Sequence, residues 1–391
     1  MTVLLTGADG YLGWPTALRL SDRLDERIVC VDNFARRSWV EESGSVSAVP
    51  IHEPRERFKS VGNLSLVEGD LADREFVTQV LDTHEPDVVL HAAAQPSAPY
   101  SSINGERALY TQQNNVSMNL NLLHGLNECG LNDTHFIETT TTGIYGAPHF
   151  PIPEGGLNVE RKGGRDEVPF PAMGGSWYHQ TKSFDAANMR LAESQFEFPM
   201  SEVRTAIVYG TETPETEAYD LPTRFDFDYY FGTVVNRFCA QAVAGYPITV
   251  YGKGEQRKPM VSLEDTIESL VRLVESDHSG DGIDIYNQVT RPVAIDDLAE
   301  TIAEVGEEFD LDAEVKHYKN PREEDEEHKM EMENDAFLDL LGGQRQTLEE
   351  GIRDILSALV EERERIANHE DRFLPGVLTE PQRSVASKRA D

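Results

Sequence analysis

The feature that most constrains this chain lies at its start, where Val3-Leu4-Leu5 runs into Thr6-Gly7-Ala8-Asp9-Gly10-Tyr11-Leu12-Gly13. A helical pattern follows, then a second apolar run, Ile28-Val29-Cys30-Val31, closed by Asp32. The order strand, glycine-rich turn, helix, strand, acid is that of a dinucleotide-binding βαβ unit. In such a unit Gly7 permits the tight turn, Gly10 lets the backbone approach a pyrophosphate, and Gly13 lets the helix pack closely. Free N–H groups at the helix start then face the phosphates. Asp32, roughly 20 residues beyond the glycines, offers a carboxylate to both ribose hydroxyls of NAD and would repel a 2′-phosphate. Arg36 and Arg37, just behind it, keep NADP open as an alternative.

Apolar runs at residues 3–5, 28–31, 64–67, 88–91, 135–137 and 202–208 alternate with helical patterns at 11–24, 73–83, 107–129 and 177–192. This alternation predicts an α/β fold, a Rossmann doubly wound parallel sheet with helices on both faces. From about residue 219 it weakens, and a smaller C-terminal substrate-binding α/β region follows. That region has helices near 232–244 and 264–276, strands at 248–251 and 283–288, and a last helix at about 347–367. The expected division is residues 1–218 mainly for NAD, 219–368 mainly for substrate, and a mobile tail at 369–391. At 391 residues the chain exceeds what one core supports, in keeping with two packed lobes. The connections 34–62 and 149–176 are longer than ordinary βα loops, and long loops are usually functional.

A net charge of −35 makes nucleic acid a poor partner. Dispersed acids with few lysines resemble proteins of salt-loving organisms, whose self-repulsion is screened by salt. Cys30, Cys129 and Cys239 lie far apart and read as reduced core thiols. No apolar run reaches the roughly 18 residues of a membrane span, and the expectation is a cytoplasmic protein without a membrane partner. The acidic run at 323–327 lacks metal-ligand spacing, so no metal is expected.

Tyr178 and Lys182, four residues apart in a helical pattern, leave the same helix face. A neighbouring ammonium and a positive nicotinamide ring favour phenolate, so Tyr178 can take a hydroxyl proton while a hydride leaves for NAD. Lys182 can also hold the nicotinamide ribose. Thr141 lies at the end of the fifth strand, where its hydroxyl can bond the substrate oxygen beside the tyrosine.

With Gly69-Asp70 after the third strand and Ala92-Ala93-Ala94 after the fourth, the chain resembles the extended short-chain dehydrogenase/reductase superfamily of nucleotide-sugar enzymes. The resemblance implies a catalytic set of Thr141, Tyr178 and Lys182. It places Tyr11, Leu12, Asn33, Arg36 and Asn115 on the cofactor, with Asp70 and Leu71 near the adenine, and implies a homodimer built on helices 107–129 and 177–192. More specifically, several motifs resemble the UDP-sulfoquinovose synthases. They are Ser97-Ala98-Pro99-Tyr100-Ser101, Tyr110-Thr111-Gln112-Gln113-Asn114-Asn115-Val116, Phe231-Gly232-Thr233, Asn236-Arg237-Phe238-Cys239, Val250-Tyr251-Gly252-Lys253-Gly254, Asn320-Pro321-Arg322 and Glu326-Glu327-His328.

That family joins UDP-glucose to sulfite, or to sulfur from a donor protein, and keeps NAD bound. The implied sugar-nucleotide residues are Tyr100, Asn236, Arg237, Gln256 and Arg322, and His179 is either a residue that serves the sulfite or its donor or an ordinary helix histidine. Three positions depart from the family pattern. Pro96 stands in place of an arginine, Ile144 of a glutamate, and Lys258 of an arginine. Arg36, Arg37 or Arg107 are the cations that can replace the missing arginine. The alternative activities are a UDP-glucose 4-epimerase or another epimerase/dehydratase, and the alternative outside catalysis is a regulator that binds NAD or a nucleotide sugar.

Overall fold

The computed structural model describes residues 1–170, 174–276, 282–319 and 329–375. Arg322, the acidic run at 323–327 and the tail from 376 onward lie outside the described residues.

Seven parallel strands form the central sheet. Across it they run Ile283–Gln288, Met200–Thr205, His135–Thr141, Val88–His91, Thr2–Thr6, Arg27–Asp32 and Leu64–Glu68. Helices cover both faces, which is why strands such as Val3-Leu4-Leu5 are apolar at every position and fully buried. The order reverses beside Thr2–Thr6, which opens a crevice at the carboxyl ends of Thr2–Thr6 and Val88–His91.

Two sequence expectations change. The 202–208 run is not one strand: it breaks at Ala206, whose N–H bonds Gln288 O at 3.1 Å. Beyond that break, Ile207–Tyr209 enters a three-stranded sheet with Arg257–Ser262 and Arg291–Ala294. Ile283–Gln288, expected in the second region, instead completes the central sheet beside Met200–Thr205. The helix Leu263–Glu275 likewise packs into the core around Gly13–Arg23, with Leu263, Ile267 and Leu270 joining Val3, Leu5 and Trp14. The chain thus crosses back over the division at 219.

The second core gathers the helices Val234–Ala244, Ile295–Gly306 and Leu348–Val360 around the strand pair Ile248–Tyr251 and Val315–Tyr318. The last helical pattern is two helices, Leu348–Val360 and Arg363–Ala367. Residues just beyond it, placed by composition with the tail, are packed: Phe373 is fully buried against Phe227 and Tyr246. The 34–62 connection carries the helices Ala35–Glu42 and Pro54–Lys59. The 149–176 connection carries an exposed hairpin of Leu157–Arg161 and Gly164–Val168. No helix among the described residues is long and apolar enough to cross a membrane.

Candidate active site

A cleft of about 1160 Å³ opens at the carboxyl edge of the sheet and extends between the two cores. Its floor is the glycine turn. Gly7 has φ +71°, and a Cβ there would meet Ala93 N at 2.7 Å. A Cβ on Gly13 would lie 2.0 Å from Gly7 O, so Gly13 serves the closure of the turn itself and not only the packing of helix on strand. The helix Gly13–Arg23 has no side-chain cap and no acid in its first turn, which leaves its positive end open to a phosphate.

Asp32 lines the cleft and accepts hydrogen bonds from Asp9 N at 2.8 Å and Phe34 N at 2.7 Å. Burial, with the Asp9 charge adding to it, pushes its carboxyl up to about 6. Arg37 grips Asp9 through Nε at 2.7 Å, and Arg36 grips Asp226 through Nη2 at 2.6 Å. Both guanidiniums that kept NADP open are therefore committed to carboxylates. This cradle fits NAD: the turn leaves no room for side chains, and a carboxylate lines the cleft beside it, where ribose hydroxyls would find an acceptor.

Gly7, Gly10, Tyr11, Leu12, Gly13, Asp32, Asn33 and Arg36 share the cleft wall with Thr141, Tyr178, His179, Lys182, Asn236, Arg237 and Gln256. Four expected contacts lie outside that wall. Asp70 is exposed, and Leu71 is buried in the core. Asn115 is a brace: its side chain bonds Gln95 N at 2.8 Å, Gln95 O at 3.1 Å and Thr181 Oγ1 at 3.0 Å, while Asn114 faces the cleft. Tyr100 is buried behind the wall against Trp39 and Phe231, and its hydroxyl donates to Glu42 at 3.2 Å.

Ser176 caps the helix Trp177–Phe196 by accepting from His179 N at 3.1 Å, which fixes the start of the helix that carries Tyr178 and Lys182. The His179 imidazole lies against Gly143, where a Cβ would come within 2.4 Å of the ring. Thr141 Oγ1 accepts from Gly143 N at 3.2 Å at the cleft edge. Burial raises the Tyr178 pKa, and the opposing pull of Lys182 does not overcome it. The ammonium is thus only one of the two charges expected to favour phenolate, the other being the nicotinamide ring of bound NAD.

Lys182 is itself buried and paired, 2.8 Å from Glu138 and 3.2 Å from Asp185. Burial works against its charge, but the two carboxylates outweigh that and raise its pKa. Neither acid stood out by motif. The available signal was a glutamate inside a fully buried parallel strand, together with an aspartate three residues after the lysine on the same helix.

In the second lobe Asn236 Oδ1 and Gln256 Oε1 are buried acceptors without protein partners. Pro96 and Lys258 line the cleft, whereas Ile144 is buried with Tyr145, Ile152 and Phe170. Of the three replacement cations, Arg36 alone lines the cleft, while Arg107 pairs with Glu42 at 2.7 Å.

Residues 3–287 match the NAD dependent epimerase/dehydratase family. The chain belongs to that family. Among relatives, it is 36% identical to UDP-sulfoquinovose synthase of Sulfolobus acidocaldarius over 96% of both chains. It is also 36% identical to the chloroplastic UDP-sulfoquinovose synthase of Spinacia oleracea, over 83% of this chain and 68% of that one. Among solved structures, UDP-glucose 4-epimerase of Thermotoga maritima with UDP-glucose superposes at TM-score 0.70 and 22% identity, covering 92% of this chain and 99% of that one. UDP-glucuronic acid 4-epimerase of Bacillus cereus, in complex with UDP-glucuronic acid and NAD, gives 0.71 and 19% over the same shares. These two establish a shared epimerase/dehydratase fold, and NAD is the cofactor of the family.

Proposed function

We propose that this NAD-dependent enzyme converts UDP-glucose and sulfite to UDP-sulfoquinovose. The carrying observation is the near full-length match to a UDP-sulfoquinovose synthase, joined to a cleft in which Thr141, Tyr178 and His179 converge. NAD, when bound, supplies a reversible hydride acceptor. Thr141 holds the sugar 4-oxygen, and Tyr178 Oη takes the proton of the 4-hydroxyl as C4 becomes a ketone. The ketone acidifies the C5 proton, which His179 takes and passes to the 6-hydroxyl, so that the hydroxyl leaves as water. The sulfur lone pair of hydrogen sulfite then adds to C6 of the 5,6-alkene while its proton goes to C5, and the hydride returns to C4 as the Tyr178 proton returns to the C4 oxygen. The sum is UDP-glucose plus hydrogen sulfite giving UDP-sulfoquinovose plus water.

Asn236 and Gln256 present acceptors to the nucleotide, Arg237 and Arg322 serve the diphosphate, and Arg36, held to Asp226 through Nε and Nη2 but with Nη1 unpaired, is the cleft cation left for sulfite in place of the one missing at Pro96. Under this reading, residues 1–218 carry most cofactor contacts and 219–368 most sugar-nucleotide contacts. Sulfur arrives as free sulfite or from a donor protein.

The same reading includes a homodimer. Leu109 and Leu120 on the helix Gly105–Glu128, and Trp177, Phe184 and Leu191 on Trp177–Phe196, leave large apolar side chains exposed on two adjacent helices. The free thiols Cys30, Cys129 and Cys239 suit the reducing cytoplasm. The test is the product made from UDP-glucose with and without sulfite. UDP-sulfoquinovose formed without net use of NAD supports the assignment, whereas UDP-galactose as sole product replaces it with the epimerase.

A further inference from the structure

Beneath the Tyr178/Lys182 pair lies a row of buried ionisable groups that proton transfer to Tyr178 does not by itself require. Register pairs Thr6 with His91 and His91 with Glu138 across three neighbouring parallel strands, so the three side chains share one face. Thr6 Oγ1 lies 2.7 Å from His91 Nδ1, and His91 Nε2 lies 3.9 Å from Glu138 Oε2. Glu138 Oε1 accepts from Lys182 Nζ at 2.8 Å, and Asp185 Oδ2 sits 3.2 Å from the same nitrogen. None of His91, Glu138, Lys182 and Asp185 is more than 2% exposed. The row thus joins the residue just before the glycine turn to the lysine of the catalytic pair.

The charges in this row balance only while Asp185 stays protonated. Burial pushes His91 down to about 4 and Asp185 up to about 8, so at pH 7 both are neutral and Glu138 carries the charge that answers Lys182. A second buried negative charge, on Asp185, would oppose folding. Glutamine would keep one acceptor for Lys182 but would turn its amide nitrogen on Asn119 Nδ2, which donates to Glu138 Oε2 at 3.2 Å, so position 138 is built for a carboxylate with two acceptors. An ammonium has three N–H groups. Glu138 takes one of them, while Asp185 lies 3.2 Å away as an ion-pair neighbour without hydrogen-bond geometry. The charged groups acting on Tyr178 are Lys182 and Asp185 from its own helix, Glu138 from the strand His135–Thr141, and Arg36 from the helix Ala35–Glu42. Glu202, from Met200–Thr205, also acts on Asp185.

We infer that Glu138 is a positioning residue of the catalytic pair: with Asp185 it fixes the Lys182 ammonium, and its charge sets the pH at which Tyr178 accepts the substrate proton. The inference rests on Tyr178 being the base. Burial, partly offset by Lys182, pushes the Asp185 carboxyl up to about 8, as a crowded pair of acids sharing one cation requires.

The experiment compares wild type, Glu138→Gln and Glu138→Asp, each alone and combined with Tyr178→Phe. The readouts are the pH profile of kcat on UDP-glucose in the NAD holoenzyme and the phenolate absorbance titration of Tyr178, taken as the difference from the Tyr178→Phe counterpart. Glu138→Gln is expected to melt below the wild-type temperature, since the buried pair with Lys182 loses its charged partner. Its acid limb should move about one unit to lower pH, with the phenolate titration moving the same way and kcat falling about tenfold as a neutral amide holds the Lys182 ammonium less firmly than a carboxylate. Glu138→Asp, which keeps the charge, should hold the limb near the wild-type position. Folded Glu138→Gln with an unmoved limb and an unmoved phenolate titration would overturn the inference. If Glu138→Gln does not fold, Asp185→Asn carries the same test with the same expected direction. Wild-type turnover in Tyr178→Phe removes the base assignment, whereas the phenolate titration judges Glu138 whatever the turnover.

Discussion

Around Gly7 and Gly13 the cleft is shaped by backbone against backbone, with a Cβ on Gly13 only 2.0 Å from a carbonyl oxygen. Around Lys182 it is shaped by buried charge, with one ammonium between Glu138 and Asp185. The first wall comes from a few consecutive residues, so its spacing announces it. The second draws on residues 6, 91, 138, 182 and 185, brought together by strand register and one helical turn. A binding surface made of main chain tolerates little substitution and changes little with pH. One made of coupled ionisable groups keeps its shape through conservative substitution but changes what it does.

Substitutions on the two walls sharpen this contrast. The largest effect is expected from Tyr178→Phe, which removes the proton-accepting atom and nothing else: kcat should fall by about a thousandfold or more while NAD and UDP-glucose still bind. Steady-state turnover together with equilibrium binding checks it, and loss of binding in step with turnover would place Tyr178 in the architecture of the site. Gly13→Ala should act in the opposite way, by displacing the turn. NAD affinity should drop about tenfold or more and the melting temperature should fall, whereas Gly62→Ala, with nothing within 4 Å of the new methyl, should change neither.

How far each wall is legible in sequence follows the same division. Residues 88–91, 248–251 and 283–288 are strands at the expected bounds: the first reads as the apolar run of a strand buried on both faces, whereas the last is a half-buried edge strand that alternates Ile283-Asp284-Ile285. The partner of Ile283–Gln288 was not legible, since strand character is local and sheet membership is not. The apolar pattern also stays unbroken through Ala206, where the chain changes sheets. The motif around Asn114 and Asn115 marked the right turn of helix but the wrong side chain: the two are adjacent, and helical rotation turns one to the cleft and the other to Gln95. Tyr100 shows the reverse, a motif residue that supports the wall from behind. Glu138 was hidden because a run of apolar and β-branched residues masks one acid.

The smallest effect expected is that of salt. With a net charge of −35, molar KCl should raise the melting temperature by screening self-repulsion, and light scattering in that salt should give the mass of two chains. The ion pairs of the catalytic wall, buried beyond the reach of counterions, should contribute little to the change. A flat melting temperature removes the halophilic reading, and a monomer mass removes the dimer.

The account turns on what the two walls make together. The most direct measurement is mass spectrometry of the sugar nucleotide formed from UDP-glucose, with sulfite present or absent, at high salt. The account predicts UDP-sulfoquinovose only when sulfite is supplied, with no added NAD consumed. UDP-galactose in both arms, or sulfite never entering the sugar even with a sulfur-donor protein present, would contradict it.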